Sequence, residues 1–253
     1  MRLIARVHQL PIVLIAGLSL TACVVGPVYG SSTRQVRECP DSVATVCGAA
    51  ADSSRCLTLS DRDYEEVAAG LGISVACIRA VVDIETGSKC KGFGADSLPV
   101  INFDINMFRK YARARRIDLA PYRSKYPEVF AKPDVRRHGS LQRAQYARLN
   151  SAMAIDTVAA LEGTFWGMFQ IGGFNWKLCG CGSVEDFVAR MALSEREQLE
   201  LFAAFVRARK LDVYLRKRDW AGFALRYNGP GYKKHRYDTR MAQAYRRYKN
   251  KGV

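Results

Sequence analysis

The sequence predicts a mainly α-helical fold: one helical domain over residues 56–253, with a short extended segment, behind a leader and a tether. Three observations carry this reading. Apolar residues recur at helical spacing through most of the chain after Ser60, capping residues open those stretches, and alternating strand patterns are scarce. The length of 253 residues allows one full core or two small ones. Hydrophobic and charged fractions of 49% and 25% are ordinary globular values and exclude disordered and collagen-like classes.

Residues 1–22 read as an export signal, because Arg2 and Arg6 precede an uncharged apolar run from Leu10 to Leu20. That run is about half of the ~20 residues a membrane-spanning helix needs. Leu20-Thr21-Ala22-Cys23 resembles the lipobox of bacterial lipoproteins. The resemblance implies cleavage before Cys23, acylation of that cysteine and attachment to a membrane. Val24 follows, and by sorting of the enterobacterial type a residue other than Asp there points to the periplasmic face of the outer membrane. Residues 23–55 are rich in Gly, Ser, Pro, Thr and Ala and read as a tether, tied by Cys39 and Cys47.

Helix signals follow in order. Ser60 caps a run through Leu71, and Ser74 caps a second that ends near Glu85. Pro99 to Phe103 reads as a short extended piece. Helical patterns cover Asp104 to Arg116 and Leu141 to Leu161. Ser183 with Asp186, and Ser194 with Glu197, have capping-box spacing, the second opening a helix to about Arg209. Asp219 to Tyr227 and Asp238 to Lys249 complete the set.

The formal net charge is +15, and loss of residues 1–22 removes two arginines and no acids, leaving +13. An exported chain with that charge meets anionic envelope polymers, whereas export argues against nucleic acid as the partner. With Cys23 lipidated, seven cysteines remain in a compartment that permits disulfides. An odd count leaves at least one thiol free, and Cys77, inside the apolar stretch Ile73 to Ile84, is the best candidate. Cys179-Gly180-Cys181 lacks zinc spacing and a His-rich partner segment, so neither a metal nor another cofactor is expected.

Three separated segments carry the chemistry. In Ala80-Val81-Val82-Asp83-Ile84-Glu85-Thr86-Gly87 a glutamate closes an apolar helix just before a glycine. Apolar neighbours and the negative end of the helix dipole both disfavour its ionised form. A carboxylic acid kept protonated near neutrality can protonate a glycosidic oxygen. Taken alone, Glu85 reads rather as a solvated helix-end glutamate. Gly163 to Asn175 combines glycines, which let backbone approach a ligand, with aromatic faces suited to sugar rings. Arg226-Tyr227-Asn228-Gly229-Pro230 is a helix ending in a tight polar turn.

Together these segments resemble the three-part signature of the goose-type lysozyme and soluble lytic transglycosylase superfamily. The closer similarity is to the N-acetylmuramidases common among phage endolysins. It rests on Glu85, on Pro99 through Asn106, on Trp166 through Asn175 and on Tyr227 through Pro230. It continues through Cys179-Gly180, Met191 through Glu195 and Tyr237-Asp238, and so spans about residues 70–248. One place departs from the family pattern: Asp104-Ile105-Asn106 stands where Glu-Arg-His is usual.

The resemblance implies a lysozyme-like α+β fold and a peptidoglycan glycan strand as substrate. Glu85 is then the acid for the β-1,4 bond between N-acetylmuramic acid and N-acetylglucosamine, with Thr86 placed to orient it. Asp104 is the first candidate for a second carboxylate, at the ~6.5–9.5 Å separation of inverting glycosidases, with Glu162 and Asp96 behind it. Trp166, Gln170, Asn175, Tyr227 and Asn228 match substrate-binding positions, with Trp166 and Phe169 shaping the cleft. The weakened position at Asp104 leaves open a lytic transglycosylase giving 1,6-anhydro products, or an inactive peptidoglycan-binding or inhibitor-binding lipoprotein. The similarity also implies that the loop after Glu85 meets the segment after Gln170. A disulfide is therefore expected from Cys90 to Cys179 or Cys181, with Cys181 favoured.

Overall fold

The computed structural model describes residues 58–87 and 91–252. The leader, Cys23 and the whole tether with Cys39 and Cys47 lie outside the described residues, as does Cys90. The chain is mainly helical, as expected. Ser60 accepts the Asp63 amide and Asp63 answers at the Ser60 amide, closing a capping box that starts α1 (Asp61–Leu71). Gly72 ends α1 in the left-handed region at φ 65°. Ser74 caps α2 (Val75–Thr86), and Gly87, at φ 70°, stops it one turn past the buried Val82. Half of α2 is buried, and Glu85 stands half-buried in its last turn.

The extended piece is β1 (Ile101–Phe103), followed by α3 (Ile105–Ala114). Three four-residue helices come next, α4 (Tyr122–Lys125), α5 (Pro127–Phe130) and α6 (Val135–His138). The expected helix from Leu141 to Leu161 is two, α7 (Leu141–Met153) and α8 (Thr157–Glu162). Asp156 breaks the run by capping the Ala159 amide. Two further strands, β2 (Thr164–Trp166) and β3 (Ile171–Gly172), pair antiparallel in the order β1-β2-β3. Ile101 faces Trp166, and Trp166 faces Ile171. A 3-10 turn at Gly173–Asn175 leads to α9 (Val184–Met191) and α10 (Glu195–Ala208). Ser183 and Ser194 cap these two helices, but the acids of the expected boxes turn elsewhere. Asp186 accepts from the Gly182 amide, and Glu197 pairs with Arg190 at 3.0 Å. Helices α11 (Asp212–Lys217) and α12 (Trp220–Tyr227), a 3-10 turn at Pro230–Lys233 and α13 (Tyr237–Asn250) finish the chain.

One contiguous core runs from Val67 to Met241. Helix α13 packs along α2, and Arg247 late in α13 pairs with Asp83 at 2.8 Å. Cys77 is a buried free thiol, as expected, with burial pushing it up to about 12. Cys179 and Cys181 are also buried and free, which corrects the expectation of a disulfide from Cys181. The Cys181 sulfur lies instead 3.9 Å from an Arg190 nitrogen.

Candidate active site

The centre of the site is Glu85. Asn228, the C-cap of α12, donates its Nδ2–H to both Glu85 oxygens, at 3.0 and 3.3 Å. Burial pushes Glu85 up to about 8, against the Asn228 hydrogen bond and the positive charge of Arg240, which favour the ionised form. Near neutrality the carboxyl therefore still carries a proton. The Thr86 hydroxyl donates to the Val82 carbonyl at 2.7 Å, the back-bond usual for a hydroxyl at a helix end.

Tyr227 is buried, stacked on Phe223 and edge-on to Phe202 and Phe205. Its hydroxyl donates to the Phe169 carbonyl at 3.3 Å, so it joins the Asn228 turn to the Gln170 turn instead of facing ligand. Phe169 stacks on Phe202 with centroids 4.2 Å apart. Gln170 holds φ 48°, a backbone region that L residues rarely adopt, on the turn between β2 and β3. Its Nε2 donates to the Gly167 carbonyl at 2.8 Å. Gln170 and Tyr227 share a small pocket with Phe165, Gly172, Asn175 and Phe205. The structure thus brings Glu85, Asn228, Tyr227, Gln170 and Asn175 together from segments far apart in sequence.

Trp166 corrects an expectation. It is fully buried, and its indole N–H donates to the Leu161 carbonyl at 3.1 Å, so no face is left for a sugar. The half-buried rings by the pocket are Phe174 and Tyr111, stacked with centroids 5.7 Å apart, and Phe174 meets the pocket-lining Phe165 edge-on. Asp104 is the N-cap of α3: its Oδ1 accepts the Asn106 and Met107 amides at 2.7 and 3.1 Å. Of the other acids, Glu162 accepts the Trp176 indole N–H at 3.2 Å, and Asp96 holds Arg143 in a two-bond ion pair.

Four residues to which the sequence assigned no role act at or around the site. Tyr237 and Arg240 on α13 lie within electrostatic reach of Glu85, which raises the Tyr237 phenol further beyond its burial. Gln198 is fully buried; its Oε1 accepts the Met168 amide at 2.8 Å, and its Nε2 donates to the Gly92 and Met191 carbonyls. Glu195 accepts the Gly92 amide at 2.7 Å. Together they tie the loop that follows Glu85 to the turn that carries Gln170. A Cβ at Gly92 or Gly167 would strike the Gln198 carboxamide, which is why both positions are glycine. The matched stretch Met191 through Glu195 pointed at this region but stopped short of Gln198.

Comparison with known proteins agrees with this geometry. No curated protein matches the chain. The crystal structure of the Burkholderia AP3 phage endolysin matches with a TM-score of 0.67 and 38% sequence identity. The match covers 78% of this chain and 73% of that one. The family model of the N-acetylmuramidases matches residues 74–249, a stretch that begins at the cap of the Glu85 helix and runs nearly to the end of α13. The chain belongs to the N-acetylmuramidase family and is a peptidoglycan-degrading enzyme.

Proposed function

We propose that the chain cuts the β-1,4 bond between N-acetylmuramic acid and N-acetylglucosamine, with Glu85 protonating the leaving oxygen. The observation that carries this reading is a half-buried carboxyl at a helix end, pushed up to about 8 and held at both oxygens by Asn228. A side chain donating to both oxygens fixes the direction in which the proton is presented. Gln170, on its left-handed turn, and Asn175 line one pocket, which supports a role for both in holding the N-acetyl and hydroxyl groups of the sugar.

The second half of the reaction needs a nucleophile. Asp104 can hold water only through Oδ2, since Oδ1 is committed to the α3 cap. That commitment supports one competing reading, in which the C6 hydroxyl of the muramic acid attacks and a 1,6-anhydro sugar results. Digestion of purified peptidoglycan followed by mass spectrometry of the sugar termini separates the two. A reducing N-acetylmuramic acid end is the expected product. A 1,6-anhydro end establishes the transglycosylase, and a reducing N-acetylglucosamine end or uncut glycan overturns the bond assignment.

The same reading places the enzyme on a membrane through acylated Cys23, at the periplasmic face of the outer membrane where the envelope has one. The lipobox Leu20-Thr21-Ala22-Cys23 and the following Val24 support this. Cys23→Ser is expected to release the protein from the membrane fraction or to leave the precursor uncleaved. Unchanged processing and retention, read by fractionation and intact mass, contradict the anchor.

A further inference from the structure

We propose that Lys233, Lys234, Arg236 and Arg240, at the junction of the Pro230–Lys233 turn with α13, form a subsite for the carboxylates of the peptide stem on the muramic acid beside Glu85. The inference rests on the reading that Glu85 acts at a muramic acid.

Asn228, which holds Glu85, stands two residues before Pro230, so the four cations follow it closely in the chain, and Arg240 acts electrostatically on Glu85 itself. The segment between them is braced. Tyr232 anchors it in the interior, and the Tyr232, Lys234 and Arg236 amides donate to the Gly229, Gly231 and Lys233 carbonyls, each at 3.1 Å. Arg240 lies over the Tyr237 ring, 5.8 Å from its centroid, at the Glu85 end of α13.

Arg115, Arg143, Arg190, Arg196, Arg216 and Arg247 all have carboxylate partners within the chain. Lys233, Lys234, Arg236 and Arg240 are exposed, and none has such a partner among the described residues. Asp238, half-buried, is the single acid in the stretch from Lys233 to Arg240. Unpartnered cations beside a carboxylic acid gain nothing from a neutral sugar. The peptide stem on the lactyl group of muramic acid offers free carboxylates on the same residue that is cleaved. A carboxylate docked on Arg240 also offsets the charge that disfavours the protonated form of Glu85, so stem binding and acid function reinforce each other.

The test uses the purified full chain in detergent with two substrates, uncrosslinked glycan strands bearing stems and the same strands with the stem carboxylates converted to amides. The wild type is expected to prefer the strands with free stem carboxylates in kcat/KM. In Lys233→Gln/Lys234→Gln that preference falls about five-fold, the scale of two exposed charge pairs. It also fades in the wild type toward 1 M salt, where the Debye length is ~3 Å. Equal cleavage of both strands by the wild type, or an unaltered preference in the double variant, overturns the subsite. Glu85→Gln in binding titrations with a disaccharide-tetrapeptide and the same ligand with its stem carboxylates amidated separates the two readings. Tighter binding of the ligand with free carboxylates, without any cleavage by the wild type, keeps the subsite and removes the glycosidase reading. Equal affinity removes the subsite alone.

Discussion

Glu85→Gln is expected to lower the rate of peptidoglycan cleavage by at least ~10²-fold and up to ~10⁴-fold, the range that general acid catalysis supplies. The substitution keeps the shape of the side chain and its contact with Asn228 but removes the transferable proton. No other carboxyl replaces it: Asp104 caps α3, Glu162 holds Trp176 and Asp96 holds Arg143. Stability should move the opposite way, and its sign follows from linkage. A carboxyl whose folded value is raised from 4.5 to about 8 costs nothing below the unfolded value, where both states are protonated. The cost grows between those values and is complete above the folded one. Glu85→Gln should therefore melt near the wild type at pH 4 and about 3 °C or more above it at pH 9. A variant retaining more than about a tenth of the activity, far short of the loss expected for a missing acid, contradicts the assignment.

The second large effect concerns Trp166. A tryptophan on a cleft wall, truncated to alanine, would weaken substrate binding and leave the fold nearly untouched. Trp166 is instead fully buried on the middle strand of the sheet, between Ile101 and Ile171, with its N–H on the Leu161 carbonyl. Trp166→Ala should cost ~3–5 kcal/mol through the cavity, with the orphaned carbonyl adding to it. That is a large share of the ~5–15 kcal/mol that holds a typical protein folded. Denaturant unfolding checks this, and Trp166→Phe, which refills most of the volume, should recover much of the loss. A Trp166→Ala protein of native stability with a raised KM would return Trp166 to the cleft wall.

These residues show what the sequence could and could not disclose. Serines at 60, 74, 183 and 194 announce helix starts because a cap is a local device, complete within four residues. Four-residue helices such as Tyr122–Lys125 have no room for a 3.6-residue period, and β3 is too short to show alternation. Trp166 and Phe174 share one glycine-rich stretch, and which ring faces the interior is set by pairing with β1, a long-range event. Glu85, Gln170 and Asn228 were legible because each sits in a recognisable local pattern. Arg240 and Tyr237 reach Glu85 only through the packing of α13 on α2, and Gln198 reaches Gly92 and Met168 only through the packing of α10. No local spacing encodes those contacts.

In the proposed mechanism Glu85 works as a protonated acid because the fold withholds water from it. The pH dependence of kcat/KM on uncrosslinked glycan strands tests it most directly, since that profile reports the ionisation of the free enzyme. With Glu85 held at about 8, activity should persist through neutrality and fall along an alkaline limb centred near that value. A limb centred near 4.5, where an ordinary glutamate loses its proton, would contradict the account.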